Sequence, residues 1–93
     1  MTKTFLITYD LKRPEQNYSD LYDAIKSEGD WQHPLESIWA VKTGISVSAG
    51  TLYERLRPLI DENDSLFIVE ITDQDRQGWL AKSFWTWLKE NKK

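Results

Sequence analysis

Two nearly continuous apolar runs stand out along the chain, at residues 4–11 (TFLITYDL) and 66–71 (LFIVEI). Both are short and rich in β-branched and aromatic residues, which is typical of strands in a sheet that is covered on at least one face. We predict that the two strands lie side by side in the sheet centre. The first run stops at Asp10, so the strand presents this acid to solvent on a rigid support.

Two stretches between these runs have apolar residues at helical spacing. Gly29 is expected to end the first helix, and Ser48 can cap the second. Pro58 cannot donate a backbone hydrogen bond, which predicts a kink or an early end of the second helix near Arg57. The apolar positions are Tyr18, Leu21, Tyr22 and Ile25 in the first stretch and Leu52, Leu56, Leu59 and Ile60 in the second.

Residues 31–43 (WQHPLESIWAVKT) alternate roughly between polar and apolar and contain several β-formers. Pro34 interrupts this stretch early, because proline cannot contribute an N–H to a sheet. The pattern fits either one bent strand or two short strands joined near Glu36 and Ser37. A polar turn (DENDS) follows at residues 61–65.

The predicted order is strand, helix, strand or hairpin, helix, strand, and then a tail helix with apolar positions from Leu80 to Leu88. This order predicts an α+β fold, a ferredoxin-like βαββαβ sandwich with an added C-terminal tryptophan-rich helix. We expect a single domain over residues 1–93, with a core at 1–72 and a loop and tail helix at 73–93.

Both core helices would cover the same face of the sheet, which leaves the other face to the tail or to a second subunit. Trp79, Trp85 and Trp87 in the tail therefore have two interpretations. They are either core residues of their own chain or an interface in a dimer, where tryptophan is enriched.

The amino-acid composition limits the kinds of metal site that the chain can form. The 93 residues include no cysteine and one histidine, His33, so thiolate sites and His-pair sites cannot form within one chain. Zinc, iron–sulfur and haem centres are not expected, and a bound metal would be a hard cation with oxygen ligands, such as magnesium or manganese. No apolar stretch reaches membrane-spanning length and no signal segment is visible, so we expect a cytoplasmic protein.

The formal net charge of −3 disfavours a surface that binds nucleic acid over its whole extent, but it leaves room for a local basic patch. On the residues alone, the favoured interpretation of Asp10 is a strand terminator, and His33 is either an acid–base group or a hydrogen-bonded strand residue. The candidate phosphate-binding residues are Lys12, Arg13, Lys26, Lys42, Arg55 and Arg57, and most of them are equally well explained as solvated surface.

Several segments together resemble a known family. The strand-end YD of ITYDL, the basic LKR after it, the glycine that closes the first helix and the segment IDENDSLFIVEI resemble the CRISPR-associated spacer-acquisition endoribonucleases. More closely, TFLITYDL, QNY, AIKSEGDW, HPLES and WAVKT resemble SinR-like bacterial and phage proteins, which look like relatives of that family and of virulence-associated protein D. The resemblance covers residues 3–72.

The resemblance implies a homodimer packed through its sheets, in which Asp10 of each subunit faces the other across a two-fold axis and holds magnesium or manganese. The resemblance implies that such a site cleaves a phosphodiester, with RNA as the expected substrate, and that Lys12 and Arg13 bind its phosphates. Ser37 would orient a metal-bound water or only satisfy a turn, and His33 would be accessory. The same family also includes non-catalytic scaffolds on duplex DNA. The alternative is therefore a dimeric scaffold or adaptor for nucleic acid or a protein, with a role in phage defence or counter-defence.

Overall fold

The structure, a computed structural model, describes residues 2–12 and 18–90. A four-stranded antiparallel sheet carries three α-helices, which confirms an α+β fold. The spatial order of the strands is β2-β3-β1-β4. The elements in chain order are β1 (Thr2–Asp10), α1 (Ser19–Ser27), β2 (Asp30–Leu35), β3 (Ile38–Gly44), α2 (Ala49–Leu56), a 3-10 helix (Arg57–Leu59), β4 (Ser65–Glu70) and α3 (Lys82–Lys89).

Strand β1 lies inside the sheet, as its apolar pattern predicts. Its Ile7 pairs with Trp39 of β3 on one side and with Ile68 of β4 on the other. The prediction that the second apolar run also lies in the sheet centre is wrong, because β4 is an edge strand beside β1. Successive β4 side chains face opposite sides of the sheet, so its apolar run reflects two apolar faces and not two neighbouring strands.

Residues 31–43 form a hairpin of two strands and not one bent strand. Strands β2 and β3 are joined by a two-residue turn at Glu36 and Ser37. Their register shifts between Gln32 and Leu35, the interval that contains Pro34. The shift follows from proline chemistry, since Pro34 has no N–H to donate to the ladder.

The first core lies between one sheet face and helices α1 and α2. The Ser48 hydroxyl accepts a hydrogen bond from the Thr51 N–H at 3.1 Å and caps α2 as predicted. Helix α2 ends at Leu56 and continues as the 3-10 turn that contains Pro58, which confirms the early end. The buried residues of this core are Phe5, Ile7, Tyr18, Leu21, Ile25, Trp39, Val41, Leu52, Leu56 and Ile60.

The second sheet face is covered in part by α3. Phe84, Trp87 and Leu88 pack over Ala40, which is fully buried in the middle of this face. The small Ala40 side chain lets the helix approach the sheet closely. The tail helix therefore covers its own sheet.

Lys42 of β3 holds α3 in place. Its side chain is only 4% exposed, and its Nζ donates to the backbone carbonyl oxygens of Trp87 at 2.5 Å and Glu90 at 2.6 Å. The ammonium also lies 4.5 Å from the centroid of the Trp87 ring, and the Trp87 Nε1–H donates to Asp30. A cation is favourable here because carbonyls at a helix C-terminus lack partners within the helix. The prediction that Lys42 belongs to a phosphate-binding surface is wrong for this reason.

The remaining part of the second face has no helix over it among the described residues. It lies toward the C-terminal end of β1 and consists of Thr8, Asp10, Leu35, Ile38 and Phe67, which we call the open half-face. The register places these residues on one side of the sheet, since Thr8 pairs with both Ile38 and Phe67. Phe67 is 62% exposed and Leu35 is 47% exposed, so the open half-face is an accessible apolar surface.

Candidate functional site

Asp10 lies at the exposed end of β1, on the open half-face. Its Oδ2 accepts a hydrogen bond from the Lys12 Nζ at 2.6 Å, and both side chains are more than half exposed. The hydrogen bond and the negative charge of Asp10 raise the pKa of the Lys12 ammonium. Exposed ion pairs are screened by salt and contribute little to stability, so a ligand can replace either partner.

A second acid, Asp64, organises the backbone around this strand end. Its carboxylate accepts hydrogen bonds from the Lys12 N–H at 2.7 Å, the Tyr18 hydroxyl at 2.9 Å and the Asp61 N–H at 2.9 Å. It therefore joins the residues after β1, the start of α1 and the turn before β4. Sequence reasoning identified only a turn at 61–65, and the preference of aspartate for accepting nearby backbone N–H groups was the one available signal.

Tyr9 lies next to Asp10 but on the opposite face of the sheet, where it packs against other aromatic side chains. The Tyr9 hydroxyl accepts a hydrogen bond from the Trp39 Nε1–H at 2.9 Å and donates to the Glu36 carbonyl at 3.4 Å. Burial raises the pKa of Tyr9 above its usual 10.0, although the bond from Trp39 opposes this. The phenol is therefore a neutral structural group at physiological pH.

His33 and Ser37, the two accessory candidates, lie in the β2–β3 hairpin. The His33 ring stacks on Trp39 with 3.9 Å between centroids, and its Nε2 is 2.9 Å from the Glu36 carbonyl oxygen. The Ser37 carbonyl accepts a hydrogen bond from the Tyr9 N–H at 3.2 Å. Within the described ranges, the Asp10 side chain hydrogen-bonds to Lys12 and to neither of these two side chains. The interactions of the His33 side chain and of the Ser37 carbonyl therefore belong to the structure of the hairpin and its pairing with β1.

The other basic candidates are distributed over the molecule. Lys26 lies over the rings of Trp31 and Trp39, with its Nζ 5.1 Å and 5.9 Å from their centroids. Arg55 pairs with Glu28 at 2.6 Å, and Arg57 donates to the Ile60 carbonyl. Arg13 lies outside the described residues. Of the candidates that the structure describes, Lys12 is the one brought to Asp10.

The open half-face carries one acid, Asp10, whose exposed carboxylate could bind a divalent cation. Residues 2–12 and 18–90 contain no group of three His, Cys, Asp or Glu side chains close enough to hold a metal ion. Asp10 offers one accessible carboxylate per chain. Magnesium retains several waters and is commonly held by one or two carboxylates, so Asp10 from two copies would be a sufficient protein ligand set.

The three tail tryptophans have different environments. Trp87 is 6% exposed and belongs to the second core, and Trp85 packs against that core while partly buried. Trp79 is 100% exposed. Trp87 is therefore a core residue of its own chain, whereas Trp79 is the tail tryptophan that remains available to a partner.

Comparison with known proteins assigns no family to the chain, because no family model and no curated protein matches it. Among the described residues, none of the helices is long and apolar enough to cross a membrane.

Proposed function

We propose that the chain adopts a ferredoxin-like arrangement and pairs with a second copy through its sheet. The order β1-α1-β2-β3-α2-β4 and the spatial order β2-β3-β1-β4 support the fold assignment, because two βαβ-type halves then interleave in one antiparallel sheet. The open half-face supports the pairing, since it exposes Phe67 and Leu35 on an otherwise folded domain.

The activity we propose is metal-dependent cleavage of a phosphodiester, with RNA as the first substrate to test. One observation carries this proposal: Asp10 sits at the rigid end of an inner strand, exposed, on the face that two copies would share. A two-fold axis through that face supplies the pair of carboxylates that one chain lacks.

Each residue has a separate role in this proposal. Asp10 of both copies would hold magnesium or manganese, and the cation would activate water and offset charge on the phosphate. Lys12 binds Asp10 in the free protein. When substrate binds, the Lys12 ammonium would instead pair with a phosphate oxygen, a ligand that lysine binds as a point charge. The adjacent Arg13 would add a second cation for the same backbone.

The test is cleavage of single-stranded RNA by the purified protein with magnesium or manganese. Asp10→Asn preserves size and removes the charge, and we expect it to abolish cleavage while the circular dichroism spectrum stays unchanged. Asp20→Asn, at an exposed acid in the first turn of α1, is the matched control and should cleave like the wild type. Equal cleavage by wild type and Asp10→Asn would refute the role of Asp10.

A second candidate function is a non-catalytic dimeric module that binds nucleic acid or a protein partner. The ion pair between Asp10 and Lys12 favours it, because the carboxylate already has a cationic partner within the chain. This candidate predicts no cleavage with any divalent metal, together with a dimer that shifts labelled RNA or duplex DNA in a salt-dependent manner. An adaptor role in phage defence or counter-defence belongs to this second candidate.

A further inference from the structure

A largely apolar cavity lies at the border of the open half-face, between the sheet, α3 and the segment that leads into α3, and shares Leu35 and Ile38 with that half-face. Its volume is about 240 Å³, and the polar side chains of residues 74–77 also contribute to its lining. A cavity of about 150 Å³ lined by similar side chains can hold a benzene molecule, so this one is large enough for an aromatic side chain. The apolar residues that line it include Leu6, Leu35, Ile38, Ile71, Phe84 and Trp85.

Trp79 is directly adjacent to this cavity in sequence but contributes nothing to it. Leu80, the next residue, lines the cavity and packs against the second core. On the other side, Gly78 lies against the Trp85 ring, since a Cβ built on it would be 3.7 Å from Trp85 Cζ2. Both neighbours are held against Trp85 and the core, whereas the Trp79 side chain is 100% exposed.

We propose that Trp79 of one copy inserts into this cavity of a second copy, and that the second copy does the same in return. The ring and the cavity lie side by side on one molecule, so a two-fold axis can satisfy both contacts at once and closes the assembly at two chains. The inference rests on the proposed homodimer and names the contact that anchors it. No other described side chain combines this size with complete exposure.

The surrounding surface matches such a contact. Leu35, which is 47% exposed, lines the cavity and belongs to the open half-face, so the cavity adjoins the half-face that carries Phe67. A buried aromatic ring removes about 150–250 Å² from solvent, and specific interfaces bury about 1,200 Å² or more in total. The two tryptophans therefore serve as anchors, and the open half-face supplies the rest of the buried area.

Sedimentation velocity of the full chain over a concentration series tests the proposal. Truncating a central tryptophan weakens an interface by about 30-fold or more for each contact, so Trp79→Ala should raise the dimer dissociation constant by about 10³-fold. Tyr53→Ala is the matched control, because it removes a 49% exposed aromatic ring from α2, on the other side of the sheet, and should leave the constant unchanged. Folding is not at risk, since the Trp79 side chain is 100% exposed.

A mixing experiment tests the reciprocal geometry. Leu35→Glu places a charge in the cavity and should also abolish the dimer. In an equimolar mixture of Trp79→Ala and Leu35→Glu, the intact Trp79 of one variant meets the intact cavity of the other, so one of the two contacts is restored. Heterodimers should then form about 30-fold or more tightly than either homodimer.

The outcomes separate this inference from the proposed function. A wild-type dimer that Trp79→Ala leaves intact would overturn the Trp79 contact and leave the homodimer standing. A wild-type chain that stays monomeric at high concentration would overturn both. A mixture that associates no better than its components would overturn the reciprocal insertion.

Discussion

Asp64 is predicted to stabilise the fold although it lies in an exposed turn. Among its interactions, Asp64→Ala removes the acceptor of the hydrogen bonds from the Lys12 N–H, the Tyr18 hydroxyl and the Asp61 N–H. Because the site is partly open to water, we assign about 1 kcal/mol to each bond, which gives a loss of about 3 kcal/mol. Domains of this size have about 5–15 kcal/mol in total and lose about 4–8 °C of Tm per kcal/mol, so the expected fall in Tm is about 12–24 °C.

Urea unfolding followed by tryptophan fluorescence measures this loss. Tyr18→Phe deletes one of the three bonds and should cost about 1 kcal/mol. Glu62→Ala removes an exposed acid from the same turn and should stay within about 0.5 kcal/mol of the wild type. If Asp64→Ala costs no more than Tyr18→Phe, the carboxylate does not join the three segments in solution, and the reasoning is refuted.

Three further predictions concern the packing of the sheet. Gly29→Ala should cost about 1–3 kcal/mol in thermal unfolding because its Cβ would overlap the Lys42 backbone oxygen, whereas Gly44→Ala, with no atom within 4 Å of its Cβ, should avoid that clash cost. Lys42→Met should release the end of α3, seen as faster amide hydrogen exchange over residues 82–89 with little change in β1. The raised pKa of Tyr9 means that the unfolded chain loses its phenolic proton first, so stability should fall as pH rises from 10.0 toward the folded-state pKa. Tyr9→Phe should reduce that fall in urea titrations at pH 9–11.

Features set by neighbouring residues were predictable from sequence. The end of α2 follows from Pro58 and its start from Ser48, and both lie within one helical turn of the boundary they determine. The pairing of Asp10 with Lys12 is also local, since Lys12 follows the end of β1 by two residues.

Features set by contacts between distant segments were not predictable. Lys42 is buried because its partners are carbonyls 45 and 48 residues away at the end of α3, and nothing in its own segment indicates this. Asp64 reaches Lys12 across 52 residues for the same reason. The edge position of β4 was not predictable because an apolar run indicates only that both faces of a strand are apolar. An edge strand is defined instead by backbone groups that lack a partner strand.

The unpaired edge of β4 among the described strands makes aggregation the expected result when the protein is destabilised. The opposite edge strand, β2, carries Pro34 and a register shift, and both features hinder the addition of another strand. Strand β4 has neither feature, and its sequence SLFIVE combines strong β-formers with a single charge. Variants that loosen the turn before it, Asp64→Ala above all, should therefore aggregate on heating in a manner that depends on protein concentration. Their unfolding should be reversible only in dilute solution.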